Sequence, residues 1–306
     1  MAIVDTTIPI TSALCDQWLL QIAERYPFCR TELLGSTAFQ RPIRSLVIGS
    51  GPRKVLYSAA HHANEWITSL ILLKFAEDLA MALEENGPIG GVDAAAVAEA
   101  ATIYMVPMVD PDGVDLVTGA IGPGSIPYEA AYALSQNYPN IPFPEGWKAN
   151  LLGVDLNLQY PAGWLQAREI KFSQGFTRPG PRDYVGRAPL NQMETRALAA
   201  YTEEIDPALV LAFHTQGAVI YWQFQDYQIP GARELGEKFA VASGYALEDT
   251  PYESAFAGYK DWFIRRFRRP GYTIEVGRGE NPLPISQFEE IYSNCLPILL
   301  IAATDS

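Results

Sequence analysis

Basic residues, histidine and cysteine are all scarce in this chain of 306 residues. Lysine and arginine total 22 against 35 aspartates and glutamates, which gives a formal net charge of −13. This deficit argues against a nucleic-acid partner, because binding phosphates requires a basic surface. No Cys-x-x-Cys pair occurs, so the sequence predicts neither a disulfide framework nor a cysteine-ligated metal. The widely spaced cysteines, expected to be free thiols, are Cys15, Cys29 and Cys295.

Long hydrophobic runs are missing as well. No apolar stretch approaches the roughly 20 residues of a membrane-spanning helix. The N-terminal segment lacks the basic region and apolar core of a secretory signal. We therefore expect no membrane association and a cytoplasmic location, or secretion if a signal has been trimmed. Since no linker or internal repeat divides the chain, we expect a single catalytic domain over residues 1–306.

Helical and extended patterns alternate along the chain. The predicted helices cover 12–26, 66–84, 191–205, 230–243, 258–268 and 285–302. The predicted strands cover 44–51, 53–60, 101–109, 207–215, 218–224 and 271–277. The first two strands are separated by Gly51-Pro52 and predict a hairpin. Residues 119–190 show little periodicity and predict functional loops or short elements. This alternation favours an α/β sandwich with a mixed sheet.

All three histidines lie at the ends of predicted strands. His61 and His62 follow the strand 53–60, and Glu65 comes three positions after His62. His214 lies near the end of the strand 207–215. An isolated His-x-x-Glu is common by chance, but a third histidine at a strand end strengthens the case for a metal site. Two imidazoles and one carboxylate suit a catalytic zinc ion that keeps one position open for water.

Several short motifs resemble those of the zinc carboxypeptidase family and occur in that family's order. They are HHANEWIT (61–68), GVDLN (153–157), LAFHT (211–215), AGYKDWF (257–263) and YTIEVG (272–277). Any one of them alone would be a weak signal, whereas together they are specific. The resemblance implies a three-layer α/β/α sandwich around a mixed, mostly eight-stranded sheet.

The resemblance also implies the roles of individual residues. One zinc ion per chain would be held by His62, Glu65 and His214, and His61 would be a neighbour of the site without binding the metal. Asp155 matches the aspartate that orients a zinc-ligating histidine and raises its basicity. Glu275 matches the general base, which takes a proton from the attacking water and passes it to the leaving nitrogen.

The chain departs from the digestive members of this family at the positions that grip a terminal carboxylate. Those members have an Asn-Arg pair after the GVD motif, whereas this chain has Asn157-Leu158. Asn64 stands where an arginine often precedes the zinc-binding glutamate. Lys148 could supply the cation that stabilises the developing oxyanion, although a surface lysine is an equally simple interpretation.

These departures resemble a bacterial branch of the family, the γ-D-glutamyl-L-diamino acid peptidases that act on muropeptides. The stretch WKANLLGVDLNLQYPAGW (147–164) carries most of this likeness. The candidate substrate-binding residues are Asn157, Lys260, Arg278 and Tyr252. Lys260 matches the position that sets side-chain preference and could bind a carboxylate such as that of meso-diaminopimelate. A solvated lysine at the start of a helix is the alternative interpretation of Lys260. Arg278 is a further candidate for binding a carboxylate of the muropeptide.

The leading hypothesis is zinc-dependent hydrolysis of the γ-D-glutamyl–meso-diaminopimelate amide in small peptidoglycan peptides. One alternative is a metallocarboxypeptidase or amidoacid deacylase of other specificity. Another is a non-catalytic peptidoglycan-binding module on the same fold, against which the complete ligand set and Glu275 argue. Nucleophilic serine chemistry has no support, because the Gly-x-Ser-x-Gly motif is absent.

Overall fold

A computed structural model describes residues 2–305 and contains a mixed eight-stranded sheet with helices on both faces. The strands are β1 (Arg30–Ser36), β2 (Pro42–Ile48), β3 (Arg53–Ala59), β4 (Pro88–Ile89), β5 (Val92–Asp93), β6 (Ala101–Val106), β7 (Leu209–Thr215), β8 (Val219–Tyr221), β9 (Ala246–Glu248) and β10 (Gly271–Val276). The strand order in the large sheet is β1-β2-β6-β3-β7-β10-β8-β9, and β4 pairs with β5 in a separate hairpin.

The helices flank the sheet in two layers. They are α1 (Ser12–Arg25), α2 (Ile67–Glu85), α3 (Ala94–Ala100), α4 (Pro111–Val117), α5 (Ile126–Ser135), α6 (Trp164–Ser173), α7 (Met193–Ile205), α8 (Ala232–Ser243), α9 (Tyr259–Phe267) and α10 (Phe288–Thr304). One apolar core contains buried side chains of α1, α2, α8 and α10, and the other contains those of α6, α7 and α9. The prediction of an α/β/α sandwich with an eight-stranded sheet is therefore confirmed.

Strand β7 shows how one stretch of sequence serves both layers. Leu209, Leu211 and Phe213 belong to the first core, whereas Val210 and Ala212 belong to the second. Successive side chains of a strand point to opposite faces, so a strand covered on both sides must be apolar throughout. Because every residue of β7 is buried, the strand forms the rigid centre of the sheet.

The topology brings several strand ends to one edge. Strands β6, β3, β7 and β10 are neighbours and mutually parallel, so their carboxyl ends meet at the same edge of the sheet. His62 follows the end of β3, and His214 lies near the end of β7. Glu275 on β10 is the register partner of His214. The three residues therefore meet at one place, although they are far apart in the sequence.

The predicted hairpin between β2 and β3 is wrong. Strand β6 lies between them, antiparallel to β2 and parallel to β3. The Gly51-Pro52 connection instead crosses the beginning of β6. A Cβ atom at Gly51 would lie 2.2 Å from the carbonyl carbon of Ala100 and 2.4 Å from the carbonyl oxygen of Glu99. The glycine therefore permits close packing of two backbone segments and does not mark a hairpin turn.

Some elements have weak signals in the sequence. Strand β1 is an edge strand paired only with β2, and none of its residues is buried, so it lacks a clear apolar alternation. Residues 119–190 contain two short helices, α5 and α6, and one 3₁₀ turn, Leu156–Leu158, and the rest of this section is loop. No helix within residues 2–305 has the length and hydrophobicity needed to cross a membrane.

The Gly51→Ala variant should be less stable than the wild type by about 1–3 kcal/mol, because backbone must move to accommodate the added methyl group. Gly122→Ala is the matched control, since the nearest atom to its Cβ would be 3.8 Å away. Denaturant unfolding measures both variants. A Gly51→Ala protein that unfolds at the wild-type midpoint would contradict the close packing described here.

Candidate active site

Two imidazoles and one carboxylate converge at the carboxyl edge of the sheet. The Nδ1 atom of His62 lies 3.0 Å from Oε1 of Glu65, and Nδ1 of His214 lies 2.9 Å from Oε2 of Glu65. The two Nδ1 atoms are 3.2 Å apart. One ligand atom from each side chain lies within 4.8 Å of the others. The structure thus brings together the three residues that the sequence predicts as metal ligands.

The segment around Glu65 is held by the backbone on several sides. Ala63–Glu65 form a 3₁₀ turn, and the backbone N–H of Ala63 donates to the carbonyl oxygen of Lys148 at 3.0 Å. The hydroxyl of Thr68 donates to the carbonyl oxygen of Glu65 at 2.7 Å. The N–H of Thr215 donates to Oε2 of Glu65 at 3.2 Å. These bonds fix the carboxylate relative to the end of β7.

The electrostatics of this group fit a cation. Burial disfavours the charged form of His62, but the carboxylates of Glu65 and Asp155 raise its pKa to about 9. Burial likewise opposes ionisation of Glu65, but Lys148 and His62 hold its pKa well below the ordinary value. Ring nitrogens and carboxylate oxygens that face one another at these distances favour positive charge among them. The nitrogen and oxygen donors are those that zinc prefers, so the residues fit the ion.

Asp155 orients His62 from the opposite side of its ring. Its Oδ1 atom lies 3.1 Å from Nε2 of His62 and accepts from the N–H of Asn157 at 3.1 Å. Its Oδ2 atom accepts from the N–H of Asp183 at 3.1 Å. Burial disfavours this carboxylate, but the neighbouring His62 lowers its pKa below the ordinary value. A proton held on Nε2 leaves Nδ1 of His62 available as a ligand atom.

Glu275 faces the same side of the sheet as His214. Tyr272, Ile274 and Val276 of β10 point into the first core, so Glu275 must point to the opposite face. Burial, followed by the nearby charge of Glu65, raises the pKa of Glu275 to about 8. Among residues 2–305, none donates a hydrogen bond to its carboxylate, which lines the open cleft. A carboxylate with a raised pKa and free oxygens can accept and return a proton near neutral pH.

Lys148 lies between this group and the cleft. Its Nζ atom is 2.8 Å from Oε1 of Glu65. Burial opposes its charge, yet Glu65 raises the pKa of Lys148, so the ammonium group stays protonated. Its side chain is only 16% exposed. The structure therefore excludes the interpretation of Lys148 as an ordinary surface lysine.

The cleft in front of these residues has a volume of about 660 Å³. Lys260 lines the cleft, although only 3% of the residue is exposed. Its ammonium group donates to the carbonyl oxygen of Gln223 and to Oδ1 of Asp261, both at 2.6 Å. Asn157 also lines the cleft, and its Oδ1 accepts from the N–H of Tyr259 at 3.0 Å. Both residues are placed where a substrate could reach them.

Two candidate substrate-binding residues lie outside the cleft. Gly277 has a φ of 69° and turns the chain after β10, so the exposed Arg278 borders a separate pocket with Tyr245 and Gln287. Tyr252 is 70% exposed, and its ring packs against Phe256 with centroids 5.2 Å apart. Neither lines the cleft in this structure, so the geometry does not support a substrate contact for either.

His61 is buried behind the ligand group. Its Nε2 lies 3.2 Å from the hydroxyl of Tyr160, and its ring stacks on that of His214 with centroids 5.5 Å apart. Burial, together with the charges of His214 and His62, lowers its pKa well below the ordinary value. A neutral ring that packs against a ligand explains why two adjacent histidines occur here.

The sequence interpretation missed two cations of the cleft, Lys171 and Arg182. Both contact Asp183, which accepts from Lys171 on Oδ1 at 2.7 Å and from Arg182 on Oδ2 at 2.6 Å. They come from the section 119–190, where isolated basic residues carry no periodic signal. The adjacent Arg182-Asp183 pair was the only local sign of this arrangement.

Comparisons with known proteins agree with this geometry. A family model described as zinc carboxypeptidase matches residues 15–296. The γ-D-glutamyl-L-diamino acid endopeptidase 1 of Lysinibacillus sphaericus is 43% identical over 275 residues, which cover 90% of this chain and 67% of that protein. The uncharacterized protein YqgT of Bacillus subtilis (strain 168) is 36% identical over 281 residues, covering 91% of this chain and 73% of that protein.

A solved structure supports the fold. Bovine thrombin-activatable fibrinolysis inhibitor, in complex with tick carboxypeptidase inhibitor, matches with a TM-score of 0.73. The match covers 97% of both chains at 16% sequence identity. At this identity, the likeness concerns the arrangement of helices and strands alone.

The purified protein should bind about one zinc ion per chain, and His62→Ala should lose most of that zinc because a ligand is removed. His61→Gln is the control. The ring of His61 makes no contact with Glu65, so this variant should keep its zinc. Metal analysis of the folded fraction measures both. Full zinc content in His62→Ala would contradict the proposed ligand set.

Proposed function

This chain belongs to the zinc carboxypeptidase family, and on that premise we propose that it hydrolyses the γ-D-glutamyl amide of a diamino acid in cell-wall peptides. It is a zinc-dependent metallopeptidase. The observation that carries the substrate proposal is its 43% identity, over 90% of the chain, to a γ-D-glutamyl-L-diamino acid endopeptidase. Meso-diaminopimelate is the diamino acid that we expect.

The cleft supports a substrate other than an ordinary C-terminal residue. Leu158 replaces the arginine with which the digestive members grip a terminal carboxylate, and it is 8% exposed within the second core. A buried leucine cannot form a charge-assisted bond. Lys260 lines the same cleft as Glu275 and suits the polar end of a diamino acid side chain. An endopeptidase does not require a free carboxylate directly beside the scissile bond, which agrees with the loss of that arginine.

The reaction needs only a few groups of this chain. A zinc ion held by His62, Glu65 and His214 would polarise the scissile carbonyl and acidify a water molecule. Glu275 takes the proton from the attacking water and delivers it to the leaving amine. Lys148 donates a hydrogen bond to the carbonyl oxygen as negative charge develops there. Asp155 keeps His62 in the tautomer that the site requires.

The peptide L-Ala-γ-D-Glu-diaminopimelate tests the substrate assignment. Mass spectrometry should find L-Ala-D-Glu and free diaminopimelate as products, and chelation of the metal should abolish both. The control is the same sequence with an α-linked glutamate, which we expect to be hydrolysed far more slowly. Equal hydrolysis of both linkages, or release of a C-terminal residue alone from longer peptides, would refute the assignment.

Glu275→Gln should lower kcat by about 10²–10⁴-fold while zinc content is retained, because the amide can neither accept nor return the proton. Glu280→Gln is the matched control: Glu280 lines the same cleft but is exposed, and its loss should change kcat little. Steady-state kinetics on the γ-linked peptide measure both variants. Wild-type turnover by Glu275→Gln would remove Glu275 from the mechanism.

A further inference from the structure

Besides Lys148, the cations that line the cleft fall into two groups according to the segments that they contact. The first contains Lys171 and Arg182, and the second is Lys260. The carbonyl oxygen of Pro181, the residue before Arg182, accepts from the N–H groups of Lys148 and Ala149 at 2.7 and 2.9 Å. The loop that carries Arg182 is therefore attached to the segment that carries Lys148.

Lys260 contacts a different segment. It donates to the carbonyl oxygen of Gln223, just beyond β8, and β8 pairs with the part of β10 that contains Glu275. In the proposed reaction, Lys148 faces the carbonyl oxygen and Glu275 protonates the leaving amine. The attachment of the Arg182 loop to the Lys148 segment favours the acyl side of the scissile amide for Arg182, and the attachment of Lys260 to the end of β8 favours the amine side.

The pairing of charges leaves Arg182 free to bind an anion. Asp183 is the shared partner of Lys171 and Arg182, so two positive charges face one negative charge. Only the Nε atom of Arg182 is used, and its Nη1 and Nη2 atoms have no protein acceptor among the residues described. The side chain of Arg182 is 42% exposed, whereas that of Lys171 is 11% exposed. The free edge of the guanidinium group is thus accessible from the cleft.

Asp183 holds this arrangement in place. Its backbone N–H donates to Oδ2 of Asp155, the residue that orients His62. Its φ of 63° lies in the left-handed region, which is uncommon for residues other than glycine. The position of Arg182 is therefore linked to the ligand group through two consecutive hydrogen-bonded aspartates.

The geometry points to Arg182 as the residue that binds the free α-carboxylate of γ-linked D-glutamate, an inference that rests on the proposed function. A γ-linkage leaves the α-carboxylate free on the acyl side of the scissile amide, where an α-linked residue has none in its main chain. A guanidinium edge with two free N–H groups matches a carboxylate in a bidentate manner. Arg182 thereby becomes a specificity-determining residue that distinguishes D-glutamate from its α-amide, D-isoglutamine.

Two substrates that differ at this one group test the inference. They are L-Ala-γ-D-Glu-diaminopimelate and the corresponding peptide with D-isoglutamine. The zinc-loaded wild type should prefer the carboxylate by about 10- to 100-fold in kcat/KM, the range expected for charge-assisted bonds. Arg182→Gln should lose this preference. Its kcat/KM for the carboxylate peptide should fall, whereas its kcat/KM for the isoglutamine peptide should change little.

Arg187→Gln is the matched control, because Arg187 is an exposed residue of the same loop that does not line the cleft. It should keep the wild-type preference. Arg182→Lys, which keeps the charge but loses the planar fork, should give an intermediate preference. Zinc content and melting temperature are measured for each variant, so that misfolding is distinguished from altered specificity.

The outcomes separate the two proposals. If the wild type hydrolyses both peptides equally, or if Arg182→Gln and Arg182→Lys keep the full preference, the role of Arg182 is refuted while the proposed function stands. If the wild type hydrolyses neither peptide, the proposed function itself fails, and this inference fails with it.

Discussion

The site depends on one electrostatic constraint, the burial of a glutamate carboxylate between two imidazoles. Glu65 is 1% exposed and contacts His62, His214 and Lys148. Such a carboxylate is costly without compensating positive charge. The surrounding structure supplies that charge through Lys148 and fits the donor atoms to a cation. The 3₁₀ turn after β3 and the end of β7 hold this carboxylate at hydrogen-bonding distance from His214 and Thr215.

The sheet provides the rigidity that this constraint needs. Strand β7 is buried on both faces, and β10 pairs with it so that Glu275 lies beside His214. Because alternate residues of both strands pack into the first core, the two polar side chains must share the opposite face. A shift of one residue in register would turn Glu275 away from His214 and place a charge in the core. Packing of the apolar residues therefore specifies the relative position of a base and a ligand.

The cleft differs from that of the digestive family members at the position of their carboxylate clamp. Where the digestive members carry a clamp for a terminal carboxylate, this chain has the buried Leu158. The cleft is lined instead by other cations, which include Arg182 and Lys260. A γ-linked substrate of a diamino acid has polar groups on both sides of its scissile bond. The redistribution of cations, with the catalytic centre retained, is consistent with a change of substrate within one family.

The sequence by itself determined the chemistry of the donor set and the kinds of elements that carry it. His62-x-x-Glu65, His214 after an apolar run and Glu275 at the end of another were recognisable because strand ends and ligand spacing are local features. Only the tertiary structure decided that β6 separates β2 from β3, that Arg182 enters the cleft and that Arg278 and Tyr252 lie outside it. The physical reason is that periodicity reports which face of an element is apolar, whereas the neighbours of a strand and the direction of a loop depend on contacts between distant residues.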